Sequence, residues 1–224
     1  KNAGMEIQDI DFPVEGATGA EVICDIAVAD SLQIGNVTIK NAVFWVFDDK
    51  DLTLPEYNYS VNGAIAFPII KAMEEIHLYR DTTVFIPFEP KHYAINNLAI
   101  DDLDPVIWVQ QASDTLPFYF DTGAAFTSFY KPYYMRDSIR IDTTYEKKSF
   151  NIGSIGGVKE FYCYIIDSMQ LGVAGKYAYV HDIETHTEPI YKDAEKVFGN
   201  LGQDFVFQFE KMVISTREAA VLFE

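Results

Sequence analysis

FYFDTGAAFTSF, residues 118–129, runs apolar up to an acid, a hydroxyl and a glycine, and then turns apolar again. An unpaired buried carboxylate costs several kcal/mol. Asp121 therefore stands on a surface turn, or something requires it at the end of that strand. Asp and Gly are common turn residues, so the D-T-G triplet by itself is a weak signal. Its place within a larger pattern is what gives it meaning.

That pattern is an internal repeat. GATGAEVICDIAVADSLQIG (16–35) and GSIGGVKEFYCYIIDSMQLG (153–172) align without gaps at an offset of 137. Gly16 meets Gly153, Gly19 meets Gly156, Asp30 meets Asp167, Ser31 meets Ser168, Gln33 meets Gln170 and Gly35 meets Gly172. Six identities in twenty positions compare with roughly one expected from average composition. VNGAIAFPII (61–70) and VFGNLGQDFV (197–206) extend the likeness, with Gly63 and Gly199 offset by 136. Repetition of this kind organises a fold. The expected domains are a first lobe over 1–87, a linker over 88–105, and a second lobe over 106–224.

Composition narrows the chemistry. The 224 residues are enough for one large domain or two small ones. Aromatic residues make up 15% of the chain, and Val and Ile are plentiful, which favours strands. A formal charge of −17 argues against nucleic-acid and anionic-membrane partners, whose phosphates it would repel. No apolar run approaches the ~20 residues that cross a bilayer, so no membrane insertion is expected. KNAGMEIQDI lacks the pattern of a signal peptide and an initial Met, and reads as the start of a fragment or processed form. Cys24 and Cys163 read as two small buried hydrophobes rather than a disulfide framework.

ADSLQIGNVTIKNAVFWVF alternates apolar residues around a Gly-Asn turn, a hairpin by pattern. DPVIWVQQASDTLPFYF reads as two strands around Ser113-Asp114. Helix is scarce: PIIKAMEEI and QDFVFQFEKM are the best short candidates, each followed by strand-like sequence. The fold class expected is all-β.

Taken in order, the second unit offers a strand, Asp121-Thr122-Gly123, the glycine hairpin IGSIGGV (152–158), Val197-Phe198-Gly199, a short helix and a last strand. In this it resembles the retropepsin-like aspartic peptidases of the pepsin superfamily, especially bacterial proteins with aspartyl protease domains. The resemblance covers essentially all of the second unit. The first unit matches from GATGA (16–20) onward, with Val61-Asn62-Gly63 departing from the apolar-apolar-glycine pattern at Asn62. It implies an acid-protease fold of two pseudo-symmetric lobes, with a short helix after each such loop. It also implies catalytic roles for Asp121, Thr122 and Gly123, and a substrate-binding flap at Gly153, Ser154, Ile155, Gly156 and Gly157.

The activity implied is hydrolysis of peptide bonds in a peptide or protein substrate. Two carboxyls ~3 Å apart cannot both ionise comfortably, so they share one proton and divide into base and acid. A lone acid titrating near ~3.9 supplies only the base. Subtracting the offset from Asp121 places its twin about sixteen residues before Lys1, and no second D-T-G or D-S-G occurs in the chain. The fragment by itself is thus expected to have little or no activity. A missing N-terminal segment completes the site, or two chains each donate Asp121 in a homodimer. A protease fold that binds peptide without cutting it is the alternative reading. In the family, the threonine hydroxyl bonds across to the other lobe and the glycine lets its N–H approach the carboxylate. The relatives are often exported, so a periplasmic or extracellular location is implied.

Other chemistry is thin, and no cofactor or metal is expected. His181 and His186, five apart, lack the i, i+4 spacing of a helical zinc pair and read as two solvated histidines. His77 and His92 stand alone in the sequence. There is no phosphate loop and no G-x-S-x-G elbow, which leaves Ser/His/Asp and Cys/His catalysis without a local motif.

Overall fold

The computed structural model describes residues 5–16, 19–55, 58–155, 157–190 and 194–224. The chain divides into two compact units, Lys1–Ala72 with Asn151–Phe161, and Met73–Phe150 with Tyr162–Glu224. These bounds differ from the expected 1–87 and 106–224. Residues 88–105 lie inside the second unit and do not run between the two.

In the first unit β1 (Glu6–Glu15), β2 (Glu21–Ile34) and β3 (Val37–Val46) form an antiparallel sheet in sequence order. The hairpin read around Gly-Asn is present, with Gly35 in the left-handed region at φ 57°. Its register sets Ile26 opposite Trp45, Val28 opposite Val43, Leu32 opposite Ile39 and Ile34 opposite Val37. Since side chains alternate along a strand, these eight apolar residues share one face. That face is partly open: Val28, Val43 and Trp45 are at 41%, 57% and 50% exposure, while Ile26, Leu32, Ile34, Val37 and Ile39 are half-buried. Ala27 and Ala42 on the other face are buried, and α1 (Phe67–Ala72) lies against β3. A two-strand ribbon, β4 (Thr53–Leu54) and β5 (Tyr59–Ser60), completes the described elements of its Lys1–Ala72 portion.

The second unit opens with β6 (Glu75–Tyr79), β7 (Val84–Phe85), β8 (Leu98–Asp101), β9 (Asp104–Gln111), β10 (Asp114–Phe120) and β11 (Ser128–Phe129). Two short helices follow, α2 (Lys131–Arg136) and α3 (Ser138–Thr144). The composition gave no sign of them. Pro132 fits the first turn of α2, where its missing N–H costs nothing. Then come β12 (Lys147–Ser154), β13 (Gly157–Val173), β14 (Lys176–His186), β15 (Gly199–Leu201), α4 (Gln203–Val206), β16 (Lys211–Ser215) and β17 (Ala220–Phe223). The chain is mostly strand, as its Val, Ile, Tyr and Phe content predicts.

The larger sheet runs β12-β13-β14-β11-β15-β10-β9-β8. Gly172 on β13 also pairs with Gln110 on β9, so six strands from β9 round to β13 close into a ring. Ile107, Val109, Phe118, Phe129, Leu171, Val173, Ile183 and Leu201 are fully buried in its core. The second sheet, β17-β16-β6-β7, holds the C-terminal strands against the β6–β7 hairpin.

The segment from Phe88 to Pro105 is tied down at several points. Lys91 N–H and the Tyr93 hydroxyl donate to buried Glu75, and the Asn97 amide exchanges bonds with the backbone of Val221. His77 also meets Glu75, at 2.7 Å, and His92 meets Glu218 at 2.5 Å, so neither histidine stands alone.

The repeat has a structural counterpart with one shift. D-S-L-Q lies on β2 and D-S-M-Q on β13, but the turns fall at 35–36 and at 174–175. Gly172 therefore sits within a strand where Gly35 sits in a turn. A shift of two residues preserves which side chains face which way. The face bearing Leu171, Val173, Ala178 and Val180 is buried in the second unit, while Ile34, the repeat partner of Leu171, is only half-buried on β2.

Candidate active site at the Asp121 turn

β10 delivers Asp121 to the rim of the closed ring. The strand is apolar because Leu116, Phe118 and Phe120 are packed in the core, and it stops where Asp121 begins a turn. The Asp121 N–H still donates to Leu201 O at 3.1 Å, which fixes the acid at the end of β15. Its carboxylate Oδ1 then accepts the Gly123 N–H at 2.8 Å. A Cβ on Gly123 would come within 3.1 Å of that same oxygen, so glycine keeps the approach open. Asp121 itself is exposed, with Thr122 half-buried beside it. The surface-turn and the held-acid readings are therefore both true of it: exposure keeps the charge hydrated, and the backbone fixes its direction.

β15 threads between the strands on either side of the turn. It runs parallel to β10, through Tyr119–Asn200 and Phe120–Leu201, and antiparallel to β11, through Ser128–Asn200 and Phe129–Gly199. Glycine is needed at 199 because a Cβ there would lie 2.2 Å from Ser128 O and 2.7 Å from the Phe118 ring. Gly202 has the same restriction against the Phe126 backbone, at 2.6 Å.

A polar lock that the sequence reading missed holds this crossing together. Buried Thr127 donates through N–H and Oγ1 to Asp204 Oδ1, at 2.9 and 2.6 Å, while Oγ1 accepts the Gly202 N–H at 3.1 Å. Gln203 Nε2 donates to Thr122 O at 2.7 Å, and Gln203 N–H to Ala124 O at 2.9 Å. These partners are about eighty residues apart, so no local motif marks them. The only signal in the sequence was the glycine pair flanking Asn200-Leu201.

The residues expected to form the flap fall on a hairpin tip. Gly153, Ser154, Ile155 and Gly157 form the tip joining β12 to β13 and belong to the first unit; Gly156 lies outside the described residues. Gly157 has φ 121°, open to glycine alone among common residues. Within that unit the tip touches the other glycine hairpin. A Cβ on Gly16 would be 2.3 Å from Ile155 O.

Cys163 and His186 occupy facing positions on β13 and β14, a nucleophile-and-base pair by residue type. Burial pushes the thiol up to about 12 and the imidazole down to about 4, so both stay neutral. A thiolate–imidazolium pair needs the opposite shifts. His181 is exposed as expected, but His186 is buried, because the strand turns it inward beside Cys163. Cys24 and Cys163 are both buried and free, as small hydrophobes. Among the described residues, no cluster of His, Cys, Asp and Glu is placed to hold a metal ion. No family model and no curated protein matches this chain.

Proposed function

We propose that the chain carries one half of the catalytic centre of an aspartic endopeptidase, with Asp121 as one carboxylate of a dyad. The single observation behind this reading is the Asp121 turn. An exposed carboxylate is aimed by the Gly123 N–H and seated on a strand crossing held by Thr127, Gln203 and Asp204. Such an acid is solvated and can take a proton from water, but it needs a neutral carboxyl partner to protonate the leaving amine. An acid upstream of residue 1 is the assigned partner. Thr122 and Gly123 orient the turn, and a substrate-binding role for Gly153, Ser154, Ile155, Gly156 and Gly157 belongs to the same proposal. An exported, periplasmic or extracellular setting goes with this proposal.

The test is cleavage of a denatured protein at acid pH by the protein together with any sequence that precedes residue 1 in its gene. Asp121→Asn is expected to abolish it, and a hydroxyl-bearing transition-state mimic to inhibit it. Cleavage surviving Asp121→Asn removes the proposal. A second reading is favoured by there being a single acid turn in the chain: a module that binds peptide without cutting it. It predicts peptide binding by that same protein without hydrolysis.

A further inference from the structure

The closed ring of the second unit carries a face unlike the rest of this acidic chain. On β14 the outward positions are Tyr177, Tyr179 and His181, and their register partners on β13 are Gly172, Gln170 and Ser168. The Gly172–Gln110 pairing carries the same face onto β9, with Trp108, and then onto β10 at Thr115 and Pro117. None of these ten positions is charged, although 23% charged residues would put about two there. Three large aromatics lie open on it, Trp108 at 44% and Tyr177 and Tyr179 at 54% each.

One ring is laid flat by the backbone beneath it. A Cβ on Gly172 would fall 2.5 Å from Tyr177 Cε1 and 3.2 Å from Gln110 Oε1, so the phenol lies directly across the glycine. Covering a strand glycine with a cross-strand aromatic supports the sheet. It also leaves a planar platform with an amide at its edge. Tyr179 follows at the next outward position, roughly 7 Å along the strand, and the Gly172–Gln110 register sets Trp108 about two strand spacings, roughly 10 Å, across the sheet and one outward step from Tyr177 on the side away from Tyr179, so the rings run diagonally. The three rings thus cover the length of a short oligosaccharide.

We propose that this face binds a neutral glycan chain. Pyranose rings present C–H faces that stack on aromatic planes, while their hydroxyls pair with amides and phenols. Exposed Gln170 and the two tyrosine hydroxyls supply that polar fringe. A polyanion is disfavoured by the −17 net charge, and a cationic partner finds no carboxylate on these ten positions. This inference does not depend on the Asp121 site.

The test is affinity electrophoresis of the 224-residue chain through gels containing soluble xylan, hydroxyethylcellulose or mannan, followed by titration with the matching hexaose. Retardation by at least one polysaccharide is expected, insensitive to salt. Trp108→Ala and Tyr179→Ala, which alter only exposed side chains, should each weaken hexaose binding at least tenfold. Tyr177→Phe keeps the ring over Gly172 and should retain most of the binding, which guards against misfolding of Tyr177→Ala. Absence of retardation in all three gels overturns the proposal. So does retardation undiminished in the Trp108 and Tyr179 variants. Concentration-dependent self-association abolished by Trp108→Ala would overturn it too, assigning the face to a second copy instead.

Discussion

Thr127 shows how much one hydroxyl does at the Asp121 turn. It is fully buried, and its Oγ1 both donates to Asp204 and accepts from Gly202. Thr127→Ala takes the acceptor from the buried Gly202 N–H and removes one of three donors to Asp204 Oδ1, at a cost of about 1–3 kcal/mol. Urea unfolding should show this loss, and Thr127→Ser should restore most of it. His186 is the other residue with a readable consequence. Burial holds its folded-state pKa at about 4, below its unfolded value near 6.5. The unfolded chain therefore binds more protons between those limits, and stability falls as pH drops from about 6.5 toward about 4. Linkage sets the scale at about 3 kcal/mol for the full window. Glu184, 3.7 Å away, is pushed up by the same burial and works in the opposite sense, its contribution being lost as pH rises through its folded value. Thermal melts across this range should show a shallower acid limb in His186→Gln than in the wild type. An acid peptidase working in that window would do so at reduced stability.

Between elements, the two hairpins of the repeat offer a direct comparison. Leu171 on β13 is fully buried in the closed ring, whereas Val43 on β3 is 57% exposed. Leu171→Ala should cost about 2–5 kcal/mol through lost burial and the cavity left behind. Val43→Lys should change stability by about 0.5 kcal/mol or less, as expected for an open surface position. Equilibrium unfolding of both variants checks the contrast. A large loss for Val43→Lys would mean that the open face of β2–β3 is covered in solution. The hairpins themselves were legible in the sequence because alternation and a Gly-Asn turn are local signals. The strands read around Ser113-Asp114 are present with their turn one residue earlier, at 112–113, and PIIKAMEEI and QDFVFQFEKM are helical only in their leading parts, at α1 and α4. Helices α2 and α3 were missed because KPYYMRDSIRIDTT buries only Tyr133 and Ile141, too sparse a stripe to show a helical period.

At the scale of the whole molecule, the repeat was visible as sequence, but the way the chain partitions was not. Residues 151–161 lie far along the chain yet belong with the first unit, because the β12–β13 tip meets the Gly16 hairpin there. Phe88–Pro105 looked like a linker from its prolines and asparagines. Its polar groups are instead spent on Glu75 and on the edge strand β17. Net charge belongs to this scale as well. At −17, cationic peptides should associate faster than anionic ones, with an advantage that shrinks as salt screens the field. Stopped-flow binding of matched Lys-rich and Glu-rich peptides at two ionic strengths measures this.

By itself the sequence determined the strand-rich class, the duplicated hairpin, the Asp121 turn and the acidic field, since each follows from neighbours along the chain or from simple totals. Tertiary structure alone decided that Thr127 meets Asp204, that Gly199 must lack a side chain, that His186 is dry, and that Gly172 carries a tyrosine ring. Those outcomes depend on which strands become neighbours, and pairings between residues tens of positions apart leave no periodic trace in the sequence.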